Sequence, residues 1–262
     1  MIRNTFLILF SIAIAFIGSC NSDEETEKGA TFHIFLLLGQ SNMVGYPEPQ
    51  PEDMVEDERI LVLGTGICST TGREPDVWDV ATPPLHSCSD GLGPGDWFAK
   101  TLIKSLPEGD TIGLVPQAVN GQALEDFSKG TSRYDRIIER AQLAMNDGGV
   151  ISGILFHQGE SNSGQNMWPN NVAKLVSDLK TDLNLPEETP FLAGELLYTG
   201  SCAPHNVYIN ELPDLIPDAY VISAEGLEVD PSDTEWELHF SRDAEVEFGK
   251  RYAATMKTAM GL

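Results

Sequence analysis

Short apolar runs alternate with helical patterns along most of this chain. The apolar runs are continuous rather than interrupted by polar residues, which is typical of parallel strands buried on both faces of a sheet. Strands are therefore predicted at residues 32–38, 59–63, 111–115, 150–156 and 191–193, with a sixth at residues 219–222.

Between these runs, hydrophobic residues recur at the three- and four-residue spacing of an amphipathic helix. Helices are predicted at residues 97–106 and 134–145, from the stripe Val172, Leu175, Val176, Leu179 and Leu183, and from Phe248, Tyr252, Met256 and Met260. Alternating strands and helices predict a three-layer α/β/α sandwich with a mostly parallel sheet and right-handed crossovers.

The start of the chain has the pattern of a signal peptide. Arg3 precedes an apolar stretch at residues 6–17, which is shorter than the roughly 20 residues that span a bilayer. The following Ile17-Gly18-Ser19-Cys20 resembles the lipobox of bacterial lipoproteins. This resemblance implies that residues 1–20 form a lipoprotein signal peptide and that Cys20 is acylated. Ordinary signal cleavage nearby is the alternative.

Residues 21–30 are charged and poor in apolar side chains, so they are predicted to form a flexible acidic tether. The remaining residues, 31–262, are long enough for one large α/β domain, and no linker divides them.

The charge of the chain limits its partners. With 16 Lys and Arg against 40 Asp and Glu, the formal net charge is −24. Such a surface repels nucleic acid and anionic lipid headgroups, so no nucleic acid partner is expected and membrane contact is expected through the lipid anchor only. Together with the signal peptide, this predicts an exported bacterial lipoprotein in the periplasm or at the cell surface.

An exported protein meets an oxidising compartment, in which disulfides form. Cys68 and Cys88 flank one loop segment rich in Gly and Pro and are the predicted pair, which leaves Cys202 as a free thiol. The cysteine spacing does not resemble a zinc site, and no metal or other cofactor is expected.

Polar residues follow three of the predicted strands at the point where each strand ends. The segments are Gly39-Gln40-Ser41-Asn42, Asn120-Gly121-Gln122 and His157-Gln158-Gly159-Glu160-Ser161-Asn162. Ligands bind beyond the carboxyl ends of parallel strands, so these groups are expected to share one edge of the sheet. A turn would explain one such segment. Three of them, rich in Gln and Asn, predict a preorganised polar site with a serine nucleophile.

The motifs GQSNM at residues 39–43 and HQGESN at residues 157–162, with a late histidine before the last helix, resemble the SGNH hydrolase superfamily. The similarity is greatest to its carbohydrate-esterase branch, which contains sialate O-acetylesterases and acetylxylan esterases. Asn120-Gly121 resembles the second block of this family. The resemblance implies a flavodoxin-like sheet and hydrolysis of acetyl esters on sugars.

The resemblance gives Ser41 the role of nucleophile and His239 the role of general base. A serine hydroxyl is a weak nucleophile until a base within hydrogen-bond distance takes its proton. His157, at a strand end beside the amide-rich segment, is the main competitor for the role of base. An N-cap function is the structural alternative for Ser41.

The third member of the predicted triad is less well defined. The family usually has an aspartate three residues before its histidine, but Trp236 stands there, and an indole N–H can only donate. Glu160 is the predicted acid, because some members of the branch resemble a Ser-His-Glu arrangement that uses this residue. Its alternative role is to orient its own loop. Further candidates near His239 are Asp233, Glu235 and Glu237.

An oxyanion hole needs hydrogen-bond donors aimed at the developing negative charge. The backbone N–H groups of Ser41 and Gly121 are the main candidates. The side chains of Gln158, Gln40, Asn120 and Asn162 are further candidates for the oxyanion hole or for substrate binding.

The predicted function is a metal-independent serine esterase that removes O-acetyl groups from oligo- or polysaccharides of the acetylxylan or sialic acid type. The alternative is a non-catalytic glycan-binding lipoprotein with a degenerate esterase pocket, which Trp236 in the acid position suggests.

Overall fold

The computed structural model describes residues 29–66, 68 and 71–262, and within them seven strands form one sheet. The strands are β1 (Phe32–Gly39), β2 (Ile60–Leu63), β3 (Trp78–Val80), β4 (Thr111–Pro116), β5 (Val150–His157), β6 (Phe191–Gly194) and β7 (Ala219–Ile222). Their spatial order is β3-β2-β4-β1-β5-β6-β7, and every neighbouring pair is parallel except β2 and β3. The predicted mostly parallel sheet is confirmed.

β3 is the strand that the hydrophobic pattern did not predict. It has three residues, all half-buried, and pairs antiparallel with β2 at the sheet edge, where Leu61 lies opposite Val80. An edge strand this short, with Asp79 at its centre, lacks the continuous apolar run that marks a buried parallel strand.

The described residues contain seven α-helices and four 3₁₀ turns. The helices are α1 (Ser41–Val44), α2 (Pro94–Leu102), α3 (Ser132–Asn146), α4 (Trp168–Asp182), α5 (Asn206–Ile209), α6 (Leu212–Leu215) and α7 (Arg242–Ala259). The 3₁₀ turns are Ile103–Ser105, Leu124–Phe127, Glu160–Asn162 and Ala203–His205. Each predicted helix is present, and the helix predicted at residues 97–106 is α2 followed by a 3₁₀ turn.

Helices cover both faces of the sheet, which gives the three predicted layers. Phe35 and Leu37 of β1 pack in one hydrophobic core with α2 and α7. The alternate residues Ile34, Leu36 and Leu38 pack in a second core with α3 and α4. Each of these five side chains is fully buried, and burial of one such side chain contributes roughly 1.5–3 kcal/mol. β1 therefore holds both layers, and its carboxyl end is a rigid support for the residues that follow.

Cys68 and Cys88 form the predicted disulfide, with their Cα atoms 5.2 Å apart, and Cys202 is a free thiol. The bridge closes the long connection between β2 and α2. The end of this connection lies against the loop after α1, since the Gly91 N–H donates to the Gly45 carbonyl at 2.9 Å.

The predicted signal peptide at residues 1–20, including Cys20, and residues 21–28 of the predicted tether lie outside the described residues. In the part of the chain that the structure describes, no helix is both long enough and apolar enough to cross a bilayer.

Candidate active site

Ser41 lies at the carboxyl end of β1. Gly39 precedes it with a φ of +132°, and a Cβ at this position would overlap the His157 carbonyl at the end of β5, so the position requires glycine. The Gln40 N–H donates to the same carbonyl at 2.9 Å. Ser41 then begins α1 and lines a pocket of about 580 Å³. In the GQSNM motif, β1 is thus in close contact with β5 at Gly39, and a helical turn follows directly. This arrangement fixes the position of Ser41.

His239 is the histidine that lies within hydrogen-bond distance of Ser41. Its Nε2 lies 3.0 Å from the Ser41 Oγ, and its Nδ1 lies 2.8 Å from the Asp233 Oδ2. An ionised carboxylate can only accept, so Nδ1 carries the ring proton and Nε2 is free to accept the proton of the serine hydroxyl. The serine, the histidine and the aspartate therefore form a hydrogen-bonded chain in the order of a Ser-His-Asp triad.

Several contacts hold the loop that carries His239 in place. Asp233 Oδ2 also accepts the backbone N–H groups of Leu238 at 2.8 Å and His239 at 3.0 Å. Ser241 caps α7, which begins directly afterwards. On the pocket side, the Tyr46 ring stacks on the imidazole of His239, with centroids 4.0 Å apart and planes inclined by 8°. These contacts fix the orientation of the ring.

Asp233 is ionised although it is only 7% exposed. Burial alone would raise the pKa of its carboxyl group. The N–H groups of Leu238 and His239 and the His239 ring lower the pKa more, so that the net pKa lies below its ordinary value. A charged carboxylate in this place both orients the imidazole and stabilises the imidazolium that forms when the ring takes a proton.

The prediction that Glu160 is the triad acid is wrong, because Asp233 occupies that place. Asp233 lies six residues before His239, where the family pattern has three. The intervening chain makes a wider loop, in which Glu237 adopts a φ of +51° and Trp236 is 61% exposed. A pattern of fixed spacing could not find this aspartate. The available signal was an aspartate that directly follows Pro231-Ser232, since Asp side chains in turns commonly accept from backbone N–H groups a few residues later.

Glu160 supports the same loop indirectly, through Asn42. The Glu160 Oε1 accepts a hydrogen bond from the Asn42 Nδ2 at 2.7 Å. The same Nδ2 donates to the Leu238 carbonyl at 2.9 Å, and the Asn42 Oδ1 accepts from the Phe240 N–H at 3.2 Å. Asn42 therefore binds the backbone on both sides of His239. It is part of the GQSNM motif, but sequence reasoning gave it no role.

Glu160 also forms a second histidine–carboxylate pair, with its Oε1 3.3 Å from the His157 Nε2. Burial raises the pKa of Glu160, but His157 and Asn42 lower it more, and the net pKa lies below the ordinary value. His157 is completely buried, and its ring lies against the edges or faces of Phe240 and Phe248. It has no access to the pocket and cannot serve as the base.

Gln158 and Asn162 form a buried amide layer beneath the pocket. The Gln158 Nε2 donates to the Asn162 Oδ1 at 2.6 Å and to the Gln40 Oε1 at 3.1 Å, while its Oε1 accepts from the Trp168 indole at 2.6 Å. Both amides are 1% exposed. Because their hydrogen bonds are used inside the protein, the prediction that they bind substrate or the oxyanion is wrong. Gln40 borders the pocket, but its amide oxygen belongs to the same layer.

Ser41 and Gly121, whose backbone N–H groups are the predicted donors of the oxyanion hole, both line the pocket. Ser41 is the first residue of α1, and the first N–H groups of a helix have no carbonyl partner within it. Gly121 lines the pocket with a φ of +67°, a conformation that favours glycine. The neighbouring Asn120 donates its Nδ2 to the Asp90 Oδ1 at 3.3 Å, so its amide is directed to the pocket wall.

The other histidines have structural surroundings. His205 is fully buried and accepts the Gly164 N–H, and burial lowers its pKa to about 4. His33 pairs with Asp110 at 3.0 Å near the start of β1. Within the described residues, no group of three or more His, Cys, Asp and Glu side chains is arranged to hold a metal ion.

Over residues 31–258 the chain matches the family model of the carbohydrate esterases described as sialic acid-specific acetylesterases. It is 29% identical over 246 residues to a probable carbohydrate esterase of Arabidopsis thaliana, an alignment that covers 82% of this chain and 86% of the plant protein.

Solved structures show the same fold. The structure of that Arabidopsis protein superposes with a TM-score of 0.74 at 26% identity, and covers 87% of this chain and 98% of its own. NanS gives a TM-score of 0.68 at 16% identity, with 89% and 99% coverage. A carbohydrate acetylesterase from Xanthomonas citri gives 0.65 at 19% identity, with 87% and 56% coverage. On the strength of the family match, the chain belongs to the sialic acid-specific acetylesterase family of carbohydrate esterases.

Proposed function

We propose that this protein is a serine esterase that removes O-acetyl groups from acetylated carbohydrate through an acetyl-enzyme intermediate. The observation that carries the proposal is the chain of two hydrogen bonds that joins Ser41, His239 and Asp233, at 3.0 Å and 2.8 Å. Ser41 and His239 line a pocket of about 580 Å³, a volume within the range of small-molecule sites.

In the first half of the reaction, the Ser41 Oγ attacks the acetyl carbonyl carbon while its proton moves to the His239 Nε2. Asp233 keeps the proton on Nδ1 and stabilises the imidazolium that results. The negative charge that develops on the carbonyl oxygen is accepted by the N–H groups of Ser41 and Gly121, and each such donor contributes roughly 2.7–4 kcal/mol to the transition state.

When the tetrahedral intermediate collapses, the bond between the acetyl carbon and the sugar oxygen breaks. The His239 Nε2 returns its proton to that oxygen, so the sugar leaves as an alcohol. In the second half, a water molecule gives a proton to Nε2 and attacks the acetyl group on Ser41. Acetate leaves, and the proton returns to the serine.

The rival interpretation, a non-catalytic glycan-binding protein, was based on Trp236 in the acid position. Asp233 supplies the acid from another position, so this argument for a degenerate site no longer applies.

Acetate release from p-nitrophenyl acetate and from an acetylated oligosaccharide tests the proposal. Changing Ser41 to Ala should reduce kcat by roughly 10⁴-fold or more, because the nucleophile is lost. Ser163→Ala is the control, since Ser163 is exposed and lies outside the pocket lining. Equal activity of the wild type and Ser41→Ala would refute the proposal.

We also propose that Cys20 carries a lipid anchor on an exported chain, on the basis of the Ile17-Gly18-Ser19-Cys20 sequence. Labelled palmitate should be incorporated into the wild-type protein and not into Cys20→Ala. Equal labelling of the two would exclude the anchor.

A further inference from the structure

The pocket in front of Ser41 has no positively charged wall. Among the described residues that line it, there is no Lys or Arg, whereas the acidic residues Asp90 and Glu160 both belong to the lining, Glu160 with a side chain that is only 4% exposed. A carboxylated sugar bound here would therefore meet negative charge and no counter-charge. The net charge of −24 adds repulsion at longer range.

A second cavity of about 360 Å³ adjoins this pocket. The two spaces share Ser89, Asp90 and Asn120, which form a common wall. A group bonded to an acetylated sugar at Ser41 can therefore extend over this wall into the second cavity.

The second cavity is lined by two arginines from α3, and both are already hydrogen-bonded to the carboxylate of Asp76. The Arg136 Nη2 contacts both carboxylate oxygens of Asp76, at 2.8 and 2.7 Å, and its Nη1 contacts Glu139 at 3.3 Å. The Arg140 Nη1 lies 2.7 Å from the Asp76 Oδ1, and its other bonds go to backbone carbonyls of β2 and the residue after it. The hydrogen-bond donors of these two guanidinium groups are thus largely used by Asp76, Glu139 and the backbone.

His86 also lines this cavity and adds no positive charge to it. It is 5% exposed, and burial together with the charge of Arg140 lowers its pKa to about 3. At the pH of the cell exterior the imidazole is neutral.

The common wall offers groups that suit hydroxyls. The Asp90 Oδ2 accepts from the Ser87 N–H at 2.9 Å and its Oδ1 accepts from the Asn120 Nδ2 at 3.3 Å, which holds the two side chains side by side. A carboxylate oxygen can accept a further hydrogen bond, and an amide can both donate and accept. A carboxylate beside an amide therefore matches the adjacent hydroxyls of a neutral pyranose.

We propose that the cavity behind the Asp90–Asn120 wall is a second sugar subsite, and that the enzyme acts on acetyl esters of neutral oligosaccharides rather than of carboxylated sugars such as sialic acids. This inference rests on the proposed esterase function. Asp90 is then a specificity-determining residue: it binds hydroxyls of the neighbouring sugar and repels a carboxylate. The family's sialic acid-specific description would not extend to the substrate of this chain.

Three esters test the inference on the purified protein: p-nitrophenyl acetate, which has no sugar, acetylated xylotriose, which is neutral, and 9-O-acetyl-N-acetylneuraminic acid, which carries a carboxylate. The expected kcat/KM for acetylated xylotriose exceeds that for the sialic acid ester by roughly 100-fold or more. Added salt should narrow the gap by raising the rate on the anionic ester. A sialic acid ester hydrolysed as well as the neutral one would overturn the inference.

Asp90→Asn separates a binding role from a structural one. It should lower kcat/KM on acetylated xylotriose by roughly tenfold, mainly through KM, because a charge-assisted hydrogen bond is lost. The loss on p-nitrophenyl acetate should be at least several-fold smaller, and the sialic acid ester should improve relative to xylotriose. The control is Glu58→Gln, which removes the same charge from an exposed position before β2, at the opposite edge of the sheet.

An equal loss on all three esters would show that Asp90 only supports the pocket wall, and would contradict the subsite. Hydrolysis of p-nitrophenyl acetate without hydrolysis of either sugar ester would also contradict it, while leaving the esterase proposal intact. Failure of the proposed function itself would appear differently, as wild-type activity on p-nitrophenyl acetate no greater than that of Ser41→Ala.

Discussion

Two histidine–carboxylate pairs lie at the carboxyl edge of the sheet, and their surroundings differ. His239 and Asp233 are 2.8 Å apart, and the free nitrogen of His239 faces a serine hydroxyl in an open pocket. His157 and Glu160 are 3.3 Å apart, and His157 is fully buried against two phenylalanine rings. The same pair of residue types can thus be a reactive centre or a support beneath it. Access to the pocket and a nitrogen facing the nucleophile make the difference.

The two pairs are joined by Asn42. Its Nδ2 donates a hydrogen bond to the carboxylate of Glu160, and its amide group also binds the backbone on both sides of His239. Through Asn42, Glu160 of the buried pair therefore supports the backbone on both sides of His239. Two kinds of variant should separate these roles: those that disable the imidazole directly and those that loosen its support.

The largest effect is expected from Asp233→Asn. The amide keeps the shape of the carboxylate but can present an N–H to the His239 Nδ1, which favours the wrong tautomer and leaves the imidazolium without its counter-charge. kcat on p-nitrophenyl acetate should fall on the order of 10²–10⁴-fold. Asp243→Asn is the matched control, because its side chain is 89% exposed at the start of α7. A loss below tenfold for Asp233→Asn would mean that His239 works without a carboxylate.

Glu160→Gln should lower kcat less, by about tenfold, and leave KM little changed, because the Glu160 carboxylate acts on His239 only through Asn42. Asn42→Ala should cost about as much or somewhat more, since both ties to the backbone are lost. The informative measurement is the double variant. If Glu160 works through Asn42, the two losses are not additive, and the double variant should resemble Asn42→Ala alone. Additive losses, or a larger loss for Glu160→Gln than for Asp233→Asn, would assign Glu160 a direct role.

The comparison also shows what the sequence could predict. The strands and the three layers follow from periodicity, because β1, β4 and β5 are mostly buried on both faces and their sequences are mostly apolar. Ser41 and His239 could be identified from the resemblance to the SGNH hydrolases, and the close contact with β5 explains why position 39 of the GQSNM motif is a glycine. The disulfide was predicted from two cysteines that flank one loop and from the expectation that the chain is exported.

The acid and the amides could not be assigned in this way. Asp233 reaches His239 by a loop of unusual length, and loop conformation leaves little trace in hydrophobic patterning. Gln158 and Asn162 were wrongly assigned to the pocket because residue type at a strand end does not show whether an amide faces solvent or a neighbouring amide. Only the set of hydrogen-bond partners decides this, and one partner of Gln158, Gln40, lies 118 residues away in the sequence.

The effect of pH on stability should reveal the charge of the buried pair. The pKa of Glu160 in the folded protein lies below its ordinary value, which is about 4.3 in an unfolded chain. Its contribution to the free energy of unfolding is therefore present above that pH and is lost as the pH falls through the folded pKa. In Glu160→Gln the group cannot titrate. The free energy of unfolding of the wild type minus that of the variant, measured with urea, should decrease from pH 6 to pH 3.

Asp96 of α2 gives a control of opposite sign. It is 3% exposed, and burial raises its pKa to about 7, although Lys100 and Arg73 act to lower it. The contribution of Asp96 to the free energy of unfolding is full below about pH 3.9 and is lost as the pH rises to about 7. Asp96→Asn should therefore gain stability relative to the wild type over that range. The same sign for both variants would show that the carboxyl of Glu160 is protonated in the folded protein.

The smallest effect is expected at Tyr46, the residue that covers the open pair and has no counterpart at the buried one. Its ring is parallel to the imidazole of His239 at 4.0 Å, whereas the rings around His157 meet that imidazole nearly at right angles. A parallel ring limits the rotation of His239 and presents its electron-rich face to the imidazolium that forms when Ser41 attacks. Such contacts are worth roughly 0.5–1.5 kcal/mol. Tyr46→Ala should therefore lower kcat by about two- to tenfold, while Tyr46→Phe, which keeps the ring and loses only the hydroxyl, should stay within about twofold of the wild type. Single-turnover release of p-nitrophenol by the three proteins measures this directly. If Tyr46→Phe falls as far as Tyr46→Ala, the hydroxyl and not the stacked ring is the active part, and the two histidines differ only in their access to the pocket.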